Sequence, residues 1–236
     1  MEAPSRFPTT RWTMILEAKG DENAKRRAFE ELARVYWRPL FVFLRSRGLD
    51  AHAAQDATQE LLFNLMQRDV VEKVTPERGR LRAYLKTAAA NHLVHTHEKA
   101  VAQKRGAGGR TVPIDEALAQ KLPIDAAHPD EAFEREWAQL VMARALDKLK
   151  AEHETQAKVG PFSLVERFFK PGVEAAAPSY AQAAREHQMS LPQVKAFLHR
   201  ARVRFRELVR EEVLDTVESE GDAEAELGAL LEALSR

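Results

Sequence analysis

Apolar residues recur along this chain at spacings of three and four, which is the pattern of a helix with one buried face. Helices are therefore expected at 12–16, 29–48, 50–67, 80–103, 130–149, 161–169 and 222–234, with two more inside 179–213. Gly48 is expected to end the helix at 29–48, and Pro39 is expected to bend or break it. Because strand-like alternation is essentially absent, the sequence predicts an all-α fold.

A polar segment rich in turn-forming residues separates two helical regions. It contains GAGG at 106–109 and continues through Pro113, Pro123 and Pro129. Clusters of glycine and proline favour loops, so residues 104–130 are predicted to be a linker. The predicted organisation is a helical domain at 10–103, the linker, a second helical domain at 131–215 and an acidic extension at 216–236.

The overall charge is balanced, with 36 basic and 36 acidic residues, but it is distributed unevenly. Residues 1–110 carry a net charge of +7 and residues 111–236 a net charge of −7. Within the second half, residues 185–210 carry +5 and residues 211–236 carry −8. Two basic segments divided by an acidic one indicate two surfaces for a polyanion. The acidic end either folds back over the adjacent basic segment or forms a solvated helix.

The residue types exclude several classes of chemistry. With no cysteine among 236 residues, the chain cannot form a disulfide, a cysteine-ligated zinc site or a thiol nucleophile. It shows no Ser/His/Asp triad, no paired-carboxylate motif and no phosphate-binding glycine loop, so neither enzymatic activity nor a cofactor is predicted. Because no apolar run approaches the roughly 20 residues of a membrane span and the N-terminus is polar, a cytoplasmic protein without membrane insertion is expected.

Three histidines lie close together in sequence, at His92, His95 and His97. Their spacing is poor for a metal site on a helix, and Glu98 is the one nearby carboxylate. His92 lies in line with the apolar face of the predicted helix at 80–103. A partly buried histidine is therefore predicted in place of a metal ligand.

Residues 179–206 carry the most informative pattern. Ser190 and Gln193 form a Ser-x-x-Gln capping box, which starts a second short helix after a tight turn. The inward positions of that helix are apolar, namely Val194, Leu198 and Ala201. Its outward positions are Gln193, Lys195, His199 and Arg200. This arrangement is typical of a helix-turn-helix, whose second helix enters the major groove of DNA. An ordinary helical hairpin with a solvated charged face remains the alternative.

Four segments resemble motifs of one protein family. VKAFLHRAR at 194–202 resembles the helix-turn-helix in the fourth region of the extracytoplasmic-function sigma factors of bacterial RNA polymerase. YWRPL at 36–40 resembles the start of that family's second region, and QDATQE at 55–60 resembles its acidic, polymerase-facing helix. RLRAYL at 80–85, followed by Asn91, resembles the helix that recognises and melts the −10 promoter element.

The motifs follow the family's order over most of residues 10–215, and TRW at 10–12 resembles one of its subgroups. The resemblance implies a protein that binds polymerase core and promoter DNA, with the first domain at the −10 element and the second at the −35 element. Control by an anti-sigma factor or a kinase is left open. The implied DNA-binding residues are Arg82, Tyr84, Lys86, Asn91, Ser190, Gln193, Lys195, His199, Arg200 and Arg202. The implied polymerase-binding residues are Asp56, Gln59 and Glu60.

Within the −10-binding helix that the resemblance implies, each residue type suits a different contact. Arg82 and Lys86 lie four residues apart on one face, so both can contact phosphates. Tyr84 offers a ring for base stacking or for core packing, and Asn91 offers an amide to an extruded base.

The sequence departs from the family's pattern at three places. Gln188 stands in the turn where the family usually has glycine, and a left-handed residue there would cost about 1 kcal/mol. Phe197 occupies a position that is often basic. The acidic motif is thinned to Asp56 and Glu60, so polymerase binding is expected to be weak or to need help, for which phosphorylation of Thr58 is one hypothesis.

Two other functions fit the sequence. A helix-turn-helix repressor or activator would bind duplex DNA without polymerase, and it would need a dimer surface and a palindromic site. A helical protein-interaction module would have no nucleic-acid partner, and its binding would not respond to Lys195→Ala or Arg200→Ala.

Overall fold

The computed structural model describes residues 22–67, 81–103, 128–155, 161–169, 179–214, 216 and 220–235. All regular elements in these ranges are α-helices and none is a strand, which confirms the all-α class for this part of the chain. The helices described are α1 (Glu22–Ser46), α2 (Ala51–Gln67), α3 (Leu81–Gln103), α4 (Pro129–Thr155), α5 (Phe162–Phe169), α6 (Tyr180–Glu186), α7 (Leu191–Leu214) and α8 (Glu220–Ser235). The predicted helix at 12–16 and nearly all of the predicted linker lie outside the described residues.

Local signals set the end of α1 and the start of α2. Pro39 lies inside α1, so of the bend or break predicted at this residue the break is wrong, and the bend stays a prediction. Its neighbour Phe41 is fully buried, and packing of this kind holds the helix together across the proline. Gly48 has a left-handed φ of 97° directly after α1, which confirms it as the end of the helix. The Asp50 carboxylate then accepts a 2.8 Å hydrogen bond from the backbone N–H of Ala53 and caps α2.

The described chain divides into two compact units. The first combines the described parts of Met1–Ala138 and Leu214–Arg236, and the second is Gln139–Val213. Helix α4 therefore contributes to both units, and α8 belongs with α1–α3 and not with α6 and α7. The predicted domains at 10–103 and 131–215 divide the chain differently and stay predictions.

Helices α1, α2 and α3 pack against one another in the first unit. Tyr36 of α1 and Leu85 of α3 are among the fully buried side chains of this core. Phe133 and Trp137 of α4 are also fully buried, and the Phe133 ring contacts that of Phe43 edge-on, with 6.3 Å between the ring centres. The aromatic residues of α4 thus complete the core that α1–α3 begin.

The second unit packs the rest of α4 with α5, α6 and α7. Each of these helices contributes a fully buried core residue, namely Ala145, Leu164, Ala183 and Leu198. The Glu212 carboxylate of α7 is also fully enclosed, and it lies 3.1 Å from Arg144 Nε and 2.6 Å from Lys148 Nζ. A buried carboxylate needs such partners because desolvation penalises an unpaired charge. These two pairs fix the C-terminal half of α7 against α4.

Candidate nucleic-acid interface

The turn between α6 and α7 closes α6 with the backbone hydrogen bonds of a Schellman motif. The N–H of Met189 donates to the carbonyl of Ala184 at 2.9 Å, and the N–H of Gln188 donates to that of Arg185 at 3.3 Å. Gln188 has a φ of 53°, and it is the one non-glycine residue with positive φ in the described ranges. The tight turn predicted between the two helices is confirmed, and Gln188 adopts in it a left-handed conformation that favours glycine.

Both helices of the motif have capped N-termini. The N–H of Gln193 donates to Ser190 Oγ at 3.3 Å, and the N–H of Ser190 donates to Gln193 Oε1 at 2.7 Å, which confirms the capping box. Ser179 caps α6 by accepting a 3.1 Å hydrogen bond from the N–H of Gln182. Ser190 and Gln193 thus have a structural role beside the DNA contact that the resemblance implies.

Helix α7 presents two chemically distinct faces. Val194 and Leu198 are fully buried, as predicted, while Ala201 is half-buried. Phe197 is buried with them, and its ring contacts that of His153 edge-on at 5.9 Å. The opposite face exposes Gln193, Lys195, His199 and Arg200. Because Phe197 points into the core, the departure from the family's pattern at this position removes no group from the outer face.

The basic residues of the outer face differ in their partners. Lys195, His199 and Arg200 form no ion pair with any residue in the described ranges. Arg202 is half-buried and donates a 3.1 Å hydrogen bond to the Tyr180 hydroxyl of α6. The DNA contact predicted for Arg202 therefore competes with a hydrogen bond inside the motif.

Arg204 is neutralised by three carboxylates. Its Nη2 lies 2.6 Å from Glu152, and its Nη1 lies 2.9 Å from Glu207 and 3.0 Å from Glu211. These hydrogen bonds, that to Glu152 above all, raise the pKa of Arg204 further above its ordinary value. Arg204 belongs to the basic segment at 185–210, but in the structure its ion pair with Glu152 holds α7 against α4.

The residues predicted to bind polymerase lie on α2 and differ in exposure. Glu60 is exposed, whereas Asp56 and Gln59 are half-buried. Phe63 and Met66, which sequence reasoning did not single out, expose 53% and 41% of their surface. Asp56, Glu60, Phe63 and Met66 follow one another at spacings of three or four residues, so they form one stripe that mixes carboxylates with apolar groups.

Thr58 lies on the buried side of α2. Its side chain is fully enclosed, and its hydroxyl donates a 2.6 Å hydrogen bond to the carbonyl of Ala54. A kinase needs an accessible hydroxyl, so phosphorylation of Thr58 would require α2 to open first. In this structure Thr58 is a core residue.

The two cations predicted to contact phosphates from α3 are both paired with carboxylates. Arg82 is buried, and its guanidinium forms ion pairs with Glu134 of α4 and Glu226 of α8. Lys86 is half-buried, and its Nζ lies 2.9 Å from the same Glu134. The acidic C-terminal helix therefore contacts a residue of the predicted −10-binding helix.

The remaining residues of interest on α3 are less enclosed. Tyr84 is half-buried and Asn91 is exposed. His92 is half-buried, as predicted, with its Nε2 3.7 Å from the Glu60 carboxylate. In the described part of the chain, no three His, Asp or Glu side chains are grouped so as to hold a metal ion. Nor does any helix within those ranges have the length and apolar content to cross a membrane.

Comparison with known proteins gave no match to a family model, and it found no similar curated protein or solved structure. The resemblance to sigma factors therefore rests on the sequence motifs alone. The geometry of α7 stands beside it as an independent observation. Its outer face combines an amide, an ammonium, an imidazole and a guanidinium, which are groups that hydrogen-bond to base edges and phosphates.

Proposed function

We propose that this chain is an extracytoplasmic-function sigma factor, a cytoplasmic and non-enzymatic protein that binds RNA polymerase core and directs it to promoter DNA. The outer face of α7 carries the proposal. Lys195, His199 and Arg200 are exposed there on a helix-turn-helix whose turn is closed and whose helices are both capped. In the proposed role this face enters the major groove at the −35 element, and α6 braces it.

The chemistry of the outer face supports both kinds of contact that promoter recognition needs. Lys195 and Arg200 are exposed cations, and cations that neutralise phosphates release counterions and favour binding. Arginine can also bind guanine through two hydrogen bonds, which suits Arg200 to base recognition, whereas Gln193 Oε1 is held in the capping box and leaves the amide Nε2 as the donor. The ion pairs of Arg204 and Glu212 support this by presenting the face on a helix that is firmly held.

The stripe on α2 supports the binding of a second protein. Asp56 and Glu60 supply carboxylates, and Phe63 and Met66 supply exposed apolar surface on the same side of the helix. Exposed apolar groups rimmed by polar ones are typical of protein docking sites. In the proposed function this stripe contacts polymerase core, and its apolar contacts compensate for the thinned acidic motif.

A transcription assay with purified core polymerase and fragmented genomic DNA tests the proposal. The 5′ ends of the transcripts are mapped, so no promoter of known sequence is needed. The chain should direct core to a small set of start sites that core alone does not use. Arg200→Ala should reduce these transcripts about tenfold, as expected for the loss of a two-hydrogen-bond base contact. Lys150→Ala is the matched control, because this exposed cation lies in the same unit on α4, 3.6 Å from Glu166.

The competing functions give different results in the same experiment. Absence of new start sites with wild-type chain would refute the sigma-factor proposal. A regulator that acts without polymerase would instead bind duplex DNA alone, at sites of two-fold symmetry. A protein-interaction module would show no response of its binding to Arg200→Ala or Lys195→Ala.

A further inference from the structure

Arg82, one of the residues implied to contact the −10 element, is enclosed on several sides. Only 6% of its side chain is exposed, and its guanidinium pairs with Glu134 and Glu226. Its Cζ atom also lies 3.6 Å from the centre of the Trp137 ring. Two carboxylates and an aromatic face satisfy a guanidinium well. In this state Arg82 cannot reach a phosphate.

Glu226 is the buried member of an acidic helix. Only 1% of its surface is exposed, whereas Asp222, Glu224 and Glu232 of the same helix are exposed. Burial of a carboxylate is unfavourable unless it is paired, so the ion pair with Arg82 anchors α8. A carboxylate accepts hydrogen bonds from the same guanidinium donors that bind a DNA phosphate. The Glu226 carboxylate therefore binds guanidinium donors of Arg82 that a DNA phosphate would otherwise bind.

Two apolar residues of α8 are fully buried in its contact with the first unit. Ala223 and Leu230 are fully buried on the side of the helix that carries the paired carboxylate, whereas Leu231 is 66% exposed. An open surface pocket of about 180 Å³ lies beside this contact, and its lining includes Arg82 and Ala229. Because the pocket is open and also lined by the exposed Glu232, protein does not cover α8 on this side. Such a contact suits an element that can be displaced.

We propose that α8 is an internal competitor of promoter DNA, and that its Glu226 carboxylate holds Arg82 in a closed, DNA-excluding state. Release of α8 frees Arg82 toward a phosphate of the −10 element, while Glu134 continues to orient it. The inference rests on the proposed function and adds its regulation. It also assigns the acidic C-terminal helix a target in the first unit, whereas charge along the sequence suggested the adjacent helix-turn-helix.

Two pairs of variants in the same transcription assay test the inference. Glu226→Gln keeps the shape of the side chain but weakens the ion pair, and Leu230→Ala loosens the apolar contact. Each should raise transcript levels about tenfold at unchanged start sites, if the closed state predominates in the wild type. The matched controls Glu224→Gln and Leu231→Ala make the same chemical changes at exposed positions of α8, and they should stay at the wild-type level.

Four outcomes would overturn the inference. If the wild-type chain is active and neither Glu226→Gln nor Leu230→Ala raises transcription, α8 is a structural part of the first unit and the proposed function stands without it. If Glu226→Gln still activates a chain that also carries Arg82→Gln, Arg82 is not the released group. If no form of the chain directs transcription, the proposed function fails as well. Amide hydrogen exchange in α8 should be faster in Glu226→Gln than in the wild type. Unchanged exchange would contradict the displacement of α8.

Discussion

Replacement of Gln188 by glycine should stabilise the helix-turn-helix, although it removes a side chain. Gln188 is exposed and has a φ of 53°, so the side chain contributes little packing while its Cβ strains the backbone. The left-handed conformation costs an L-residue about 1–2 kcal/mol, and glycine loses about 0.5–1 kcal/mol more through backbone entropy on folding. The difference predicts a gain of about 0.5–1 kcal/mol in the free energy of unfolding of the second unit.

Urea unfolding followed by circular dichroism measures this gain, and amide hydrogen exchange in α6 and α7 assigns it to the second unit. Gln188→Ala is the matched control, because it also removes the amide group but keeps the Cβ atom. Its stability should stay within about 0.5 kcal/mol of wild type. An equal gain in the alanine variant would show that the side chain, and not the backbone, is responsible. If Gln188→Gly gains no stability, the left-handed backbone at this position is not strained.

Two more predictions concern the exposed surfaces. Phe63→Ser should weaken binding to polymerase core several-fold in a surface-binding assay, because it removes an exposed apolar contact. The melting temperature of the chain should not fall. Unchanged affinity would exclude the α2 stripe as the docking surface. Hydrogen bonding from Arg167 lowers the pKa of Glu186, so the carboxyl should titrate below the ordinary glutamate range by NMR, and Arg167→Gln should raise that pKa. The stabilisation from this hydrogen bond is present above the ordinary glutamate pKa and is lost as the pH falls through the lowered pKa of Glu186. If Glu186 titrates identically in Arg167→Gln and in the wild type, Arg167 does not lower its pKa.

Features that depend on a few neighbouring residues were predictable from the sequence. The hydrogen bonds of Ser190 and Gln193 form within one turn, and the conformations of Gln188 and Gly48 follow from the local sterics of helix ends. The structure confirms the predicted capping box and the predicted helix end at Gly48. The bounds of most helices agree within a few residues for the same reason, since apolar spacing reports the buried face directly.

Features that depend on distant residues were not predictable in this way. Arg204 is paired with Glu152, which lies 52 positions away, and Arg82 is paired with Glu226 of the last helix. A count of charges along the sequence treats such residues as free. At Pro39, where a bend or a break was predicted, α1 is not broken because packing outweighed the local preference.

Hydroxyl-radical footprinting at a start site found in the transcription assay tests most directly whether the outer face of α7 reads DNA as part of a polymerase complex. With core enzyme, the chain should protect two separate DNA segments, near −35 and near −10. Arg200→Ala should lose protection near −35 alone. Protection of a single two-fold symmetric site by the chain without core, or equal protection near −35 by Arg200→Ala, would contradict the proposed function.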